Sequence, residues 1–144
     1  MIATQNQKFL IVSSPAAISD NAALTTAAID TKGWDYLDIY VIFGAMDIAM
    51  AVLKLQTSDT DSNYADMTGG SFATSPATLP AADADNTVVA WHVNLVGKKR
   101  WFDVAATTGD GALGTYSTIV AILSRGEQAP STAALRGLGQ EIFL

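Results

Sequence analysis

A single histidine, His92, and no cysteine in 144 residues leave little material for nucleophilic or metal chemistry, which rests on activated thiols and imidazoles or on clusters of them. His92 falls on the more polar side of an alternating segment and reads as a satisfied surface or interface residue. A Ser-His-Asp set can be drawn on paper from scattered serines, but nothing resembles a nucleophile elbow or an activated serine. No catalytic residue is assigned and no enzymatic activity is expected; the enzyme alternative is a small lyase or hydrolase that uses His92.

The run Asp59-Thr60-Asp61-Ser62-Asn63-Tyr64-Ala65-Asp66 places oxygen atoms at alternate positions, as the start of a Ca²⁺ loop does. Tyr64 stands where such a loop needs glycine and Gly70 where it needs a bidentate glutamate. The run therefore reads as a polar turn, and neither metal nor cofactor is expected. Lys98-Lys99-Arg100 is the only basic cluster; it either docks an acidic partner surface or is an ordinary solvated turn, and both readings stand. Trp34, Tyr36 and Tyr40 form an aromatic ladder that would stack sugars in a carbohydrate-binding sandwich. Burial in an oligomer interface accounts for the same residues together with Ile42, Ile48, Met50 and Val52, and these are assigned to such an interface.

The elements that carry these residues are strands. From Trp34 to Phe43, Leu37, Ile39, Val41 and Phe43 alternate with Trp34, Tyr36, Asp38, Tyr40 and Ile42, so only Asp38 breaks a second apolar face. A strand apolar on both faces must be covered on both. Ile48 to Gln56 repeats the pattern, with Ala49, Ala51, Leu53 and Leu55 facing one way and Ile48, Met50, Val52 and Lys54 the other. Thr87 to Val96 turns Val89, Trp91, Val93 and Leu95 to one side and Val88, Ala90, His92 and Asn94 to the other. If Gly97 to Arg100 is a hairpin loop into Trp101 to Thr107, Leu95 pairs with Phe102, Val93 with Val104 and Asn94 with Asp103, which brings His92 near Asp103. Leu24 to Ile29, Asn63 to Met67 and Thr115 to Ser124 read as further strands. Thr57 to Pro80 is the least regular stretch.

Composition agrees. The acidic residues are twelve Asp and two Glu, and Asp favours turns where Glu favours helix interiors. Charged residues make up 15% of the chain and hydrophobic ones 49%, a surface poorly defended as a monomer. A net charge of −6 with eight Lys and Arg argues against a nucleic-acid partner. No apolar run reaches the roughly 20 residues of a membrane helix, and no secretory leader is visible. These patterns predict one all-β domain, an antiparallel two-sheet β-sandwich of about eight strands, with Met1 to Ser14 as an edge strand or N-terminal arm and Gly126 to Leu144 as a C-terminal arm.

The order TTAAIDTKGWDYLDIYVIFG, LKLQTSDTDSNYADMTGG, WHVNLVGKKRWFDVAATTGDG and STIVAILSR, covering Leu24 to Arg125, resembles small virion proteins of tailed-phage head modules, in particular capsid decoration or cement proteins. The resemblance implies a jelly-roll-like sandwich, frequently a homotrimer, made in the host cytoplasm and seated on the capsid exterior, where it binds the major capsid protein and reinforces the shell. It implies terminal arms that reach over neighbouring subunits, so that Phe9, Ile142, Phe143 and Leu144 join Lys98, Lys99 and Arg100 as expected capsid contacts. The alternative is a carbohydrate- or receptor-binding virion module using the aromatic ladder or the Thr57 to Pro80 loop.

Overall fold

The computed structural model of the protein describes residues 3–15 and 17–143. Eight strands follow in order: β1 (Gln7–Ser13), β2 (Ile29–Asp30), β3 (Trp34–Met46), β4 (Val52–Ser58), β5 (Ala65–Ser71), β6 (Val88–Asn94), β7 (Trp101–Thr107) and β8 (Thr115–Gly126). They form two four-stranded sheets, ordered β1-β8-β3-β6 and β2-β7-β4-β5, with every pairing antiparallel. The pairing is nested: β1 lies beside β8, β2 beside β7, β3 beside β6 and β4 beside β5. A long antiparallel ribbon rolled upon itself gives this order, which is the jelly roll. The all-β, jelly-roll-like sandwich expected from the sequence is what the chain forms. The described residues contain no helix long and apolar enough to cross a membrane.

Alternation sets the core. Leu37, Ile39, Val41 and Phe43 of β3 are at most 1% exposed, and they share the space between the sheets with Leu53, Leu55, Phe102, Val104, Ile119, Ala121 and Leu123. Burying each large apolar side chain contributes roughly 1.5–3 kcal/mol. The far side of the sandwich, between β6 and β5, is filled by Trp91, whose ring meets Phe72 edge-on at 5.0 Å and whose indole N–H donates to the Gly70 carbonyl at 3.0 Å.

Two expectations are corrected and one open choice is resolved. β6 and β7 do not form a hairpin, because Gly97 to Arg100 carries the chain from one sheet to the other. Phe102 lies opposite Ile29 and Thr57, and Asp103 opposite Gln56, while Val93 and Asn94 lie opposite Leu37 and Tyr36. Met50 is not on an outer face; it is 1% exposed in its own chain's core, because β4 begins only at Val52 and the alternation does not extend back through Ile48 to Ala51. Of the two readings of Met1 to Ser14, its described part takes the edge strand and not the free arm, since Gln7–Ser13 is β1, paired along its length with β8 at the sheet edge.

The residues after β8 fold back onto β1. The Phe9 N–H donates to the Arg136 carbonyl at 2.7 Å, and Gly137, at φ +75°, lies so close to the Phe9 carbonyl that a Cβ would collide with it. Arg136 is 5% exposed. Its Nε donates to Glu141 Oε2 at 2.8 Å, its other nitrogens bond Glu141 Oε1 and the Pro130 carbonyl, and its guanidinium lies 5.7 Å from the Phe143 ring centroid. This pairing raises the Arg136 pKa and holds the Glu141 carboxyl below its ordinary value.

Candidate functional site

The outer faces of the two sheets differ in chemistry. On the β2-β7-β4-β5 sheet several outward side chains are tied into polar pairs, beside the outward Val52, Trp101 and Ala105. Lys54 Nζ and Gln56 Nε2 each donate to Asp66 at 2.7 Å, Thr26 Oγ1 donates to Asp103 at 2.9 Å, and Arg100 clamps Asp30 through two bonds of 2.7 and 2.6 Å. Bonds from Lys54 and Gln56 hold the Asp66 carboxyl below the usual range, and the Arg100 guanidinium does the same for Asp30.

The β1-β8-β3-β6 sheet carries apolar rows on its outer face as well as inside, with a polar row of Gln7, Ser124, Tyr36 and Asn94 at one end. Its register sets Ile11, Val120, Tyr40 and Ala90 in one row across four strands, and Phe9, Ile122, Asp38 and His92 in the next. Ile42, Thr118 and Val88 make a third. Ile11 is 65% exposed, Val88 56% and Ile42 41%. The one acidic side chain in these rows, Asp38, is bonded by His92 Nδ1 at 2.6 Å, and the His92 ring meets Tyr40 edge-on at 5.9 Å. The Asp38 carboxylate is thus hydrogen-bonded by its cross-strand neighbour and is not left bare on this face. Exposed apolar rows of this kind have the chemistry that interaction surfaces use.

The residues assigned to one interface are divided by the fold. Tyr36, Tyr40 and Ile42 share the apolar face. Trp34 sits at its end against Gly126, opposite which it pairs. Val52 lies on the outer side of the other sheet, Ile48 is 39% exposed in the connection before β4, and Met50 is in the core. Ile11, Val88, Val120 and Ile122 belong to the face without having been grouped with it, and Phe9, expected as a capsid contact, lies there too. The signal was present in Ile119 to Leu123, five consecutive apolar residues that cannot all point inward along a strand.

The remaining candidates are dispersed. Lys99 lies 3.3 Å from Asp59, Arg100 is held by Asp30 with its guanidinium 5.0 Å from the Trp101 ring, and Lys98 is exposed. In the acidic turn, Asp61 accepts from the Tyr64 hydroxyl at 2.7 Å, while Asp59 and Asp66 pair with separate lysines. Burial and Asp61 push the Tyr64 phenol upward. Among the described residues no group of three His, Asp or Glu is placed to hold a metal ion. Ile142 and Phe143 are exposed at the end of the folded-back segment; Leu144 lies outside the described residues.

A cleft of about 420 Å³ opens where the chain between β1 and β2 loops away from the sandwich, lined by Ile11, Ser13, Leu24, Thr26, Thr115 and Ser117 among others. The Thr115 and Ser117 hydroxyls are buried there with no protein partner.

No protein-family model matches the sequence, and no curated protein matches it significantly.

Proposed function

We propose that this chain is a structural virion protein that binds the outer surface of a phage capsid and stabilises the shell, with the major capsid protein as partner and no catalytic role. The observation that carries the reading is the asymmetry of the jelly roll, one sheet with apolar rows exposed on its outer face and the other carrying satisfied polar pairs, alongside the resemblance of Leu24 to Arg125 to decoration proteins. The apolar face docks, on the capsid or within a trimer, and the acidic polar face stays in water. Such a protein stabilises by binding the assembled shell and not its parts, so modest contacts repeated over many copies add through mass action and multivalency.

The test is the copy number of this chain relative to the major capsid protein in purified particles of its source, by quantitative mass spectrometry. A ratio near one supports a shell component; a handful of copies moves it to the tail, and absence overturns the reading. The hydroxyl-lined cleft favours a second reading, a module that binds neutral glycans. Glycan-array hits that are lost on Thr115→Val would support it over the cement role.

A further inference from the structure

Sheet edges show which strands can accept another chain. At β1 the Phe9 N–H is taken by the Arg136 carbonyl, Gly137 covers the Phe9 carbonyl, and the Val12 carbonyl accepts from Ala27 N–H at 2.8 Å. β2 is two residues long. β5 is interrupted by a register shift and by Gly69 at φ +76°. β6 has none of these protections. Its hydrogen-bond parity is fixed by Phe43 N–H donating to the Thr87 carbonyl and Leu95 N–H to the Asp35 carbonyl, both at 2.9 Å. The odd-numbered residues of β6 therefore bond β3, and the N–H and C=O groups of Val88, Ala90, His92 and Asn94 point away from it. Among the described residues no backbone group of another segment bonds them. The strand, VVAWHVN, carries no lysine, acid, proline or glycine, the usual means by which an edge is blunted.

We propose that β6 pairs with β6 of a second copy of this chain, antiparallel across a two-fold axis. The strand is self-complementary, as a two-fold contact requires. In the register that sets Val88 opposite Asn94 of the partner subunit and Ala90 opposite His92 of the partner subunit, all four outward-pointing residues exchange backbone bonds. That register keeps the two imidazoles apart and gives each a small neighbour. His92 remains bonded to Asp38 of its own chain, so no unpaired carboxylate enters the contact. Two four-stranded sheets become one of eight strands, and their apolar outer faces run together. The contact belongs to the chain in solution and stands whether or not the particle reading does; a threefold assembly needs a different surface.

Native mass spectrometry and light scattering on the full chain at high micromolar concentration test it. Ala90→Pro removes an N–H that points away from β3 and leaves every β3 bond in place; Val88→Lys puts a charge at the exposed edge. The expected result is an even-numbered assembly whose mass both variants halve with an unchanged far-ultraviolet circular dichroism spectrum, and slowed exchange of the Val88, His92 and Asn94 amides in the wild type alone. Should Ala90→Pro not fold, Val88→Lys decides. A monomer at every concentration, an odd-numbered assembly indifferent to both variants, or an assembly broken by Ile42→Asp and untouched by these two would overturn the proposal.

Discussion

Single residues in this fold are held by means that can be tested one at a time. Glu141 titrates below its ordinary value of 4.5 because its carboxylate is bonded to Arg136, so its contribution is complete above that value and is lost as the pH falls through the lowered one. The exchange protection of the Phe9 and Gly137 amides, taken relative to the intrinsic rate at each pH, is expected to hold from neutral pH down to about 5 and to fall below it, with the step abolished in Glu141→Gln. Asp47 accepts from the Leu113 and Gly114 N–H groups at 2.6 and 3.1 Å, bonds that keep its carboxyl below the usual range. Asp47→Ala is expected to lower the melting temperature and to raise proteolytic nicking between Gly109 and Gly114. In the core, Phe102 is wholly buried, and Phe102→Ala should cost about 3–5 kcal/mol in denaturant unfolding. A loss under 1 kcal/mol would mean that the two sheets can close over the gap.

At the scale of elements, the segment after β8 shields the β1 edge through one backbone bond and a glycine contact, while most of its remaining bonds are internal. Removing 127–144 is expected to leave the sandwich folded by circular dichroism and to make it aggregate faster on warming, since the Phe9 and Ile11 edge is then open. Loss of the β signal instead would show that the segment is part of the core. The strands were legible because alternation is a local property. Leu37, Ile39, Val41 and Phe43 announce an inner face wherever the strand is placed. Pairing is not local, and there the sequence misleads. Matching Leu95 to Phe102 and Asn94 to Asp103 satisfies the same polarity rule that β6 against β3 and β7 against β4 satisfy, so the rule cannot separate a hairpin from a crossing between sheets. Met50 was misplaced because parity was carried through residues that are not yet strand. The tail could be read only as unpatterned; nothing local says that Arg136 will be buried by Glu141 and a carbonyl.

For the whole molecule, the same logic explains why only part of the apolar outer face is legible in the sequence. Tyr36, Tyr40 and Ile42 sit on one strand, whereas their neighbours Ile11, Val120 and Val88 come from strands distant in sequence, and the register alone brings them together. Ile42→Asp is expected to cost about 1 kcal/mol of stability, the span of strand propensity at a half-exposed position, to leave the fold intact, and to weaken binding to undecorated particles in a sedimentation assay. Full retention of binding would exclude this face from the contact. The nested strand order also governs when the fold can arise. β8 lies between β1 and β3, so Gln7–Ser13 has no sheet neighbour until Thr115–Gly126 has been synthesised. At roughly 5–20 residues per second of translation, the growing chain waits seconds with β1 unmatched and β3 open on one side. Folding is therefore a late event dominated by distant pairings, on the millisecond-to-second scale of all-β domains, and nascent chains stalled before Thr115 should be the species that chaperones hold.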